Sequence, residues 1–447
     1  MKQTTSSFLD QHRFLLAFAA LSSFMGVSVG LAKVATALYS LQLGAGETML
    51  GLIAGAQMVG VLIISLPVGF LVDQLGPKRL FVFGSALAGL IYLAVPLVPS
   101  AEFLLVCTAL ISFCMPLRFV SLNTIFMQQL DVVGESKAGW YRGSHMLGMF
   151  LLGPMIAPGL IGLINFDGVF WLIAAIFVLT IILSPMVLNH YDASHGLNRR
   201  MGRADIRSQL LLLAGDRQLR EVSLIEFFCH AINMFYSFFI LVIAINDLHM
   251  DTVKASGLVV AQGVVYVLAL FFLGGPAGRL GQTRTYRLSF ATITIALVIL
   301  GLAAQLTTLW LGALLLGLGS GTLEIVNLTR FARLGAQLGR GKVAGLNALA
   351  GPGGALLGSL AGGVVGHFFS LQSVFLLSAP VFALFWLHTW LARPGPWPIS
   401  KVYFQRFSEN GAALILFFFI ATGVWAAFQP AALVALERLI CTTFDFQ

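Results

Sequence analysis

Residues 69–79 read GFLVDQLGPKR, in which a glycine, an aspartate, a second glycine and a basic pair stand between two long apolar runs. The pattern returns 205 residues later, where residues 274–284 read GGPAGRLGQTR. Four residues are kept at this single offset: Gly69, Leu75, Gly76 and Arg79 correspond to Gly274, Leu280, Gly281 and Arg284. Asp73 corresponds to Gly278. A loop that occurs twice predicts a chain built from two duplicated halves.

The composition around this loop is that of a membrane protein. Apolar residues make up 58% of the chain and charged residues only 10%, whereas a soluble globular domain carries about 25% charged residues. A membrane-spanning helix needs about 20 apolar residues. Runs of that length predict two sets of six spans and one further span: 14–40, 49–72, 79–98, 102–129, 140–165 and 168–189; 221–246, 254–275, 287–305, 308–331, 343–367 and 370–392; and 411–432.

These runs predict an all-α integral membrane fold with two six-helix bundles related by a pseudo-two-fold axis. We expect a first bundle at 1–189, a basic cytoplasmic connection at 190–220, a second bundle at 221–392, and a proline-rich linker with an extra C-terminal helix at 393–447. Parallel repeats of membrane helices are typical of secondary transporters, whose substrate site lies between the repeats. The organisation therefore predicts a substrate path between the two bundles.

The basic residues indicate how the chain lies in the membrane. Alternating the loops between the two sides puts 22 of the 26 Lys and Arg residues on the side of the N-terminus. Because positively charged loops stay in the cytoplasm, we expect a multi-pass protein of the cytoplasmic (inner) membrane with its N-terminus in the cytoplasm. The pI near 9.5 follows from these loops, and no motif of a nucleic-acid-binding module is present.

The loop at 69–79 resembles the cytoplasmic signature between the second and third helices of the major facilitator superfamily. That pattern is Gly, three residues, Asp, Arg, any residue, Gly and then basic residues. The chain departs from it at Gln74 and Pro77, while Arg279 fills the place of Gln74 in the second copy. The resemblance extends over residues 13–392 and implies transport by alternating access. It assigns a gate between the bundles to both loops: Gly69, Asp73, Gly76, Lys78, Arg79, Gly274, Arg279, Gly281 and Arg284.

Within the gate, the resemblance gives Asp73 the task of holding the cytoplasmic faces together when the transporter is open to the outside. Gly76 allows the tight turn that the loop requires. Pro77 suits the first turn of the following helix. We therefore expect Asp73 to stabilise one conformation of the protein.

Glycine and proline also predict a hinge between the bundles. The pair Gly153 and Pro154 in the fifth span resembles a motif of exporters and antiporters in the same superfamily, and it favours export. Gly351 and Pro352 occupy the eleventh span. Small residues let membrane helices approach closely, so these four positions are the expected hinge.

Charged side chains inside the spans indicate the function most directly, since a charge at the bilayer centre costs at least ~2.5 kcal/mol. The first half contains Lys33 and Arg118, and the second half contains Glu226 and Glu324. The arginine resembles the proton-transfer signature of the family. We expect Glu324 or Glu226 to carry a coupling proton, since burial favours the protonated form of a carboxylate. The expected ligands of an anionic or amphiphilic substrate are Arg118, Lys33, Asn123, His230 and Asn327.

Sulfur and imidazole side chains support an alternative, the transport of copper(I) or another metal. His145 and Met149 are four residues apart, as are His230 and Met234, and residues at this spacing share one face of a helix. Thioether and imidazole groups suit copper(I), and some members of the family that the chain resembles import copper. A transporter-like scaffold that binds a membrane partner through its C-terminal helix is a third interpretation.

Nothing in the sequence indicates an enzyme. It contains no paired His and Glu of a metalloprotease, no nucleophile elbow and no phosphate-binding loop. Four scattered cysteines do not form a disulfide framework. We therefore expect no catalytic residue and no cofactor. The expected partners of this symporter or antiporter are a small-molecule substrate, protons and the lipid bilayer.

Overall fold

The computed structural model describes four stretches of the chain: 8–133, 143–189, 216–338 and 340–391. Within them, eleven segments are long and apolar enough to cross a membrane. One of these segments, Gly143–Leu188, covers two predicted spans. The two predicted sets of six spans are therefore confirmed. The thirteenth run at 411–432 lies outside the described residues and stays a prediction.

The first four helices follow the predicted spans closely. Each of them is continuous over a predicted apolar run: α1 (Phe8–Gln42), α2 (Glu47–Leu75), α3 (Pro77–Ala94) and α4 (Ala101–Val133). Pro77 occupies the first position of α3, where its missing N–H costs no helical hydrogen bond.

The segment Gly143–Leu188 holds the fifth and sixth helices. A π-helical turn (Leu147–Leu152) leads into the helix Gly153–Leu183. The backbone leaves the helical region at Asn165, with φ 57° and ψ 178°, so the chain changes direction there. Asparagine is one of the residues that tolerate a positive φ best. We call the part before this residue α5 (143–164) and the part after it α6 (166–183).

The second set of helices repeats the first with the offset of the duplicated loop. It comprises α7 (Arg217–Val242), α8 (Thr252–Phe272), α9 (Gln282–Gly301), α10 (Leu306–Leu338), α11 (Arg340–Phe368) and α12 (Ser373–Leu391). Both ends of α10 lie 205 residues after the ends of α4. A short helix, Gly274–Leu280, follows α8, and the two together reproduce both ends of α2 at the same offset.

The two copies of the loop share one backbone geometry. Gly76 has φ 82° and ψ 146°, and Gly281 has φ 79° and ψ 157°, a region that residues with a Cβ rarely adopt. In each copy the glycine N–H donates to a carbonyl four residues earlier, that of Val72 at 3.0 Å or that of Ala277 at 3.1 Å. The predicted tight turn is confirmed in both halves.

Helix packing also repeats between the bundles. In the first bundle α1 packs on α5, α2 on α4, and α3 on both α4 and α6. In the second bundle α7 packs on α11, α8 on α10, and α9 on both α10 and α12. Contacts between the bundles form an equivalent pair as well, α2 with α11 and α5 with α8. The predicted fold class, two six-helix bundles with pseudo-two-fold symmetry, is confirmed.

Glycines allow the closest of these helix contacts. A Cβ on Gly26 of α1 would overlap the carbonyl oxygen of His145 in α5. A Cβ on Gly354 of α11 would overlap the carbonyl oxygen of Phe227 in α7. Membrane helices with small residues at the contact approach until their backbones touch. Equivalent helix pairs in the two bundles therefore use the same kind of contact.

Apolar packing joins the two bundles on one side of the molecule. We call the side at which α1 begins the N-terminal face and the other side the opposite face. Towards the opposite face, one continuous cluster includes Leu38 of α1, Ile53 of α2 and Phe239 of α7. Towards the N-terminal face, the buried apolar residues of the described chain form three further clusters, each drawn from a single bundle.

Candidate functional site

Two carboxylates lie inside the second bundle, on the spans where the sequence analysis placed them. Glu226 is in the third turn of α7 and is 3% exposed, and Glu324 is in the middle of α10 and is 1% exposed. The helices α7 and α10 contact each other. Both carboxylates lie within electrostatic range of the thiol of Cys229. Helix packing thus brings both predicted proton-coupling residues to one region.

Glu226 is held by a chain of hydrogen bonds that crosses three helices. The amide Nδ2 of Asn327 on α10 donates to Glu226 Oε2 at 2.8 Å. The hydroxyl of Tyr286 on α9 donates to Asn327 Oδ1, also at 2.8 Å. Asn327 therefore uses both ends of its amide, and its contact with Glu226 brings a predicted substrate ligand next to a predicted coupling group.

His230 lies one turn after Glu226 on α7. Its Nδ1 is 3.1 Å from the Glu226 backbone oxygen and 3.6 Å from Glu226 Oε1. The imidazole side chain is 37% exposed, whereas the Glu226 side chain is 4% exposed. A Cβ on Gly351 of α11 would lie 3.2 Å from the imidazole Cδ2, so the glycine leaves space for the ring. His230 therefore connects a buried carboxylate with a more accessible region.

A second hydrogen-bond network continues from the next turn of α7. The amide Nδ2 of Asn233 donates to Ser320 Oγ on α10 at 3.2 Å and to Cys229 Sγ at 3.4 Å. The amide Nε2 of Gln262 on α8 donates to Asn233 Oδ1 at 2.9 Å. The buried polar region of the second bundle thus spans four helices, α7 to α10.

An ion cluster lies at the N-terminal face of the same bundle. Glu221 Oε2 accepts a hydrogen bond from Arg330 Nη2 at 2.8 Å, and Glu221 Oε1 accepts one from Arg217 Nε at 3.0 Å. His388 Nε2 of α12 is 3.7 Å from Glu221 Oε1. The guanidinium of Arg330 is also within hydrogen-bonding reach of Tyr286. The network around Glu226 therefore extends from the bundle interior to this face.

Several members of the site were not predicted from the sequence. These residues are uncharged or lie at the ends of the predicted spans: Glu221, Asn233, Gln262, Tyr286, Ser320 and Arg330. An uncharged polar side chain in a span is a weak signal, since it needs only one hydrogen bond to be accommodated. Its position next to a carboxylate follows from helix packing alone.

Arg118 of α4 is fully buried inside the first bundle. Its guanidinium carbon lies 3.9 Å from the ring centre of Phe177 and 5.7 Å from that of Phe81. Its Nη2 donates to Thr180 Oγ1 at 3.2 Å, while Nε and Nη1 are buried without a hydrogen-bond partner. These contacts come from α3 and α6. The structure therefore surrounds Arg118 with the first bundle, and its role towards substrate stays a prediction.

The other predicted substrate ligands of the first bundle differ from Arg118. Lys33 lies half-buried in the second half of α1, and no hydrogen bond or ion pair joins it to another residue of the described chain. Asn123 of α4 is exposed. Neither residue contacts the carboxylate region of the second bundle by a hydrogen bond or ion pair within the described stretches.

The gate loops lie at the N-terminal face. Lys78 Nζ donates to Asn189 Oδ1 at 2.9 Å, between the start of α3 and the end of the first bundle. The gate residues besides the glycines and Asp73 are all exposed: Lys78, Arg79, Arg279 and Arg284. Asp73 lies in the last turn of α2, and its side chain is outside the described part of the structure. Its gate role stays a prediction.

The predicted hinge residues have different surroundings in the two bundles. Gly153 donates its N–H to the carbonyl of Gly148 five residues earlier, which closes the π-helical turn. Pro154 follows and has no N–H to donate. In contrast, α11 continues as an α-helix through Gly351 and Pro352. The hinge motion itself stays a prediction.

The predicted metal ligands have separate partners in the structure. His145 Nδ1 is 3.3 Å from the carbonyl oxygen of Ser22 on α1, and its ring lies edge-on to Phe119. His230 lies beside Glu226 instead. Met149 is partly buried and Met234 is buried. Among the described residues, no group of three or more His, Cys, Asp or Glu residues is arranged to hold a metal ion.

Comparisons with known proteins agree with this geometry. The family model of the Major Facilitator Superfamily matches residues 16–219 and 222–440. None of the curated proteins matches the chain.

Solved structures show the same fold at low sequence identity. The nucleoside transporter NupG is 13% identical with a TM-score of 0.68, over 85% of this chain and 98% of that one. A mutant of NupG has a TM-score of 0.69 at the same identity, with 85% and 99% covered. The human organic anion transporter MFSD10 (TETRAN) is 15% identical with a TM-score of 0.62, over 85% of this chain and 99% of that one.

Proposed function

The chain belongs to the major facilitator superfamily, and we propose that it is a secondary active transporter that moves a small molecule in exchange or together with protons. The observation that carries the proton coupling is the pair of buried carboxylates, Glu226 and Glu324, in one region of the second bundle. A carboxylate inside a membrane protein is costly in its charged form. Uptake of a proton removes that charge, and its release restores it at another stage of the cycle.

The proposed cycle gives the two bundles different tasks. The second bundle carries the proton on Glu324, or on Glu226 beside it. Alternating access then exposes the bundle interface to one side of the membrane at a time. The resemblance of Gly153 and Pro154 to an exporter motif supports export, in which protons enter as substrate leaves.

We assign the attraction of an anionic substrate group to Lys33. Its half-buried ammonium has no ionic or hydrogen-bonding partner within the described chain, so an anionic ligand would balance its charge. The structurally similar transporters carry different substrate classes, nucleosides and organic anions. The fold therefore does not specify the substrate class. We propose that Lys33 and its surroundings do.

We propose that the N-terminal face lies in the cytoplasm, as the sorting of basic residues supports. The test places single cysteines at position 203 (Arg203→Cys) and position 254 (Lys254→Cys) in an otherwise cysteine-free chain. A membrane-impermeant maleimide should label residue 254 in intact cells and residue 203 only after lysis. Labelling of residue 203 in intact cells would reverse the orientation.

The coupling proposal requires a ligand before it is tested. A thermal-shift screen of the purified protein against organic anions, amphiphiles and nucleosides identifies one by ligand-dependent stabilisation. Proteoliposomes then report two processes separately, accumulation driven by a pH gradient and ligand exchange at equal pH. We expect Glu324→Gln to lose gradient-driven accumulation by about a hundredfold or more, since an amide carries no proton, and to retain exchange.

Glu102→Gln is the matched control, because Glu102 is exposed in the first turn of α4. It should leave both processes unchanged. Gradient-driven accumulation at the wild-type rate in Glu324→Gln assigns the coupling proton to Glu226. Accumulation at the wild-type rate in both Glu324→Gln and Glu226→Gln would falsify the coupling proposal.

A further inference from the structure

The two carboxylate oxygens of Glu226 have different neighbours. Oε2 accepts the hydrogen bond from Asn327 Nδ2 at 2.8 Å, and Oε1 faces His230 Nδ1 at 3.6 Å. The Glu226 side chain is 4% exposed and the His230 side chain is 37% exposed. Oε2 thus has an amide neighbour and Oε1 an imidazole neighbour, and the imidazole is the more exposed of these two groups.

Only one of these two groups carries protons near neutral pH. A side-chain amide donates and accepts hydrogen bonds but does not change its protonation state. An imidazole takes up a proton on one ring nitrogen and releases one from the other, and its ordinary titration range lies between pH 5 and 8. The Asn327 side of Glu226 is therefore an orienting contact, and the His230 side is suited to proton transfer.

We propose that His230 is a proton shuttle between the aqueous region of the transporter and Glu226. This role rests on the proposed proton coupling and adds the route by which the proton reaches the carboxylate. A hydronium ion gives a proton to Nε2 and becomes water, and the imidazolium then gives its Nδ1 proton to Glu226 Oε1. One O–H bond of hydronium and the N–H bond at Nδ1 break, while an N–H bond forms at Nε2 and an O–H bond forms on Glu226. The reverse sequence returns the proton and restores the tautomer.

The surroundings of the ring fit this direction of transfer. Nδ1 is 3.1 Å from the Glu226 backbone carbonyl, a contact that keeps a proton on Nδ1 and leaves Nε2 as the acceptor. On the other side, a Cβ on Gly351 would lie 3.3 Å from Nε2, so the glycine leaves that nitrogen free of a side chain from α11.

The ionisable groups near the shuttle come from three helices. Glu226 and Cys229 share α7 with His230, Glu324 belongs to α10, and Tyr286 of α9 acts through Asn327. From α11 the ring meets Gly351, which is uncharged.

The test follows the protonation of Glu226 without any transported substrate. After a rapid drop in pH, infrared spectroscopy of the purified full chain reports the carbonyl band of the protonated carboxyl group. The band of Glu226 is the one that is lost in Glu226→Gln. We expect His230→Gln to slow the appearance of this band by at least about tenfold, because water must then reach the carboxylate directly.

Chemical rescue separates a shuttle from a structural role. In His230→Ala, added imidazole should fill the space left by the side chain and restore the rate to within about twofold of the wild type. His145→Ala is the control, since His145 contacts Ser22 and Phe119 of the first bundle. In this variant the Glu226 band should appear at the wild-type rate, with or without added imidazole.

The outcomes distinguish the shuttle from the coupling proposal. If Glu226→Gln removes no infrared band, Glu226 takes up no proton in this pH range, and its coupling role fails. If the band is assigned to Glu226 but its rate is unchanged in His230→Gln, the shuttle role fails while coupling stands. A slowed His230→Ala variant that imidazole does not restore also overturns the shuttle.

Discussion

The two bundles share a frame of helices but differ in their buried polar residues. In the second bundle, Glu226, His230, Tyr286 and Asn327 form the buried polar site. The residues 205 positions earlier all belong to one buried apolar cluster of the first bundle: Leu21, Met25, Phe81 and Leu122. A polar network in one bundle thus occupies the same place as apolar packing in the other.

The reverse difference occurs at Arg118. Its counterpart at the same offset is Leu323, which is buried in the main apolar cluster together with Phe382, the counterpart of Phe177. At this position the first bundle is charged and the second is apolar. The residue after Leu323 is the buried Glu324, so the charge of the second bundle lies one residue further along the equivalent helix.

In each bundle, the residues around the buried charge suit the chemistry of that charge. A guanidinium can pack on aromatic faces, as that of Arg118 does on Phe177 and Phe81. A carboxylate only accepts hydrogen bonds, so Glu226 requires donors from other helices. The second bundle therefore has Asn327 and Tyr286 where the first has Leu122 and Phe81.

The largest expected loss of stability comes from replacing one residue of the polar site by its counterpart in the first bundle. Asn327→Leu introduces the residue found at position 122 and removes the amide that joins Glu226 to Tyr286. Both hydrogen bonds are lost, and a buried polar group that loses a hydrogen bond costs roughly 1–3 kcal/mol. We expect a clear fall in the melting temperature of the purified protein, followed by intrinsic fluorescence.

The matched control for Asn327→Leu completes the substitution. The triple variant Glu226→Leu, Tyr286→Phe, Asn327→Leu replaces the network by the residue types of the first bundle. Replacing several partners of a buried network together costs less than removing one of them, so the melting temperature should recover in part. A triple variant less stable than Asn327→Leu would show that the packing of the first bundle at these positions cannot be transferred to the second.

A similar but smaller loss is expected at the glycine contacts that both bundles share. Gly26→Ala in α1 and Gly354→Ala in α11 each force a Cβ against a backbone carbonyl, which costs roughly 1–3 kcal/mol. Both variants should lower the melting temperature by similar amounts. Gly162→Ala is the control, because nothing lies within 4 Å of its added Cβ. A loss confined to one bundle would break the equivalence of the two helix pairs.

The duplicated loops should respond equally and more weakly. Gly76→Ala and Gly281→Ala place a Cβ at φ 82° and φ 79°, which costs roughly 1–2 kcal/mol. Neither added Cβ meets another atom within 4 Å, so backbone strain is the only cost. Thermal unfolding in detergent measures it, with Gly69→Ala in the helical part of the loop as control. Unequal losses would mean that the loops differ in their surroundings.

Replacing the buried arginine should have little effect on stability. Arg118→Met keeps an unbranched apolar chain against Phe177 and removes a charge with two unpartnered nitrogens. Such replacements are often neutral or stabilising, so the free energy of unfolding should stay within about 1 kcal/mol of the wild-type value or rise. If Arg118→Met instead abolishes the thermal shift caused by a ligand, Arg118 binds substrate as the sequence analysis predicted.

The smallest effect on stability is expected at Asp73, which has Gly278 as its counterpart. Asp73→Asn should change the free energy of unfolding by no more than about 0.5 kcal/mol. Ligand exchange in proteoliposomes should nevertheless slow, because the residue is proposed to stabilise one conformation. Ligand affinity in the thermal-shift assay serves as the control and should persist. Wild-type exchange rates would remove Asp73 from the gate.

Much of the architecture could be predicted from local sequence. Apolar length gives the spans, and glycine at positions 76 and 281 gives the turns, because each depends on a few neighbouring residues. The spacing of Glu226 and His230, four residues apart, also predicts that they are neighbours on one face of a helix. The boundary near Asn165 was also predicted, since one apolar run ends at 165 and the next begins at 168, whereas the positive φ of Asn165 itself was not.

The sequence by itself determined that this chain is a duplicated bundle of membrane helices with cations in its first half and carboxylates in its second. It did so because hydropathy, turn chemistry and repeat offset are properties of short segments. Only the tertiary structure decided that Asn327 and Tyr286 join Glu226, and that Arg118 rests on Phe177. A contact such as that between Asn327 and Glu226, which are 101 positions apart, depends on the rotation and tilt of whole helices, which the packing of all their neighbours sets.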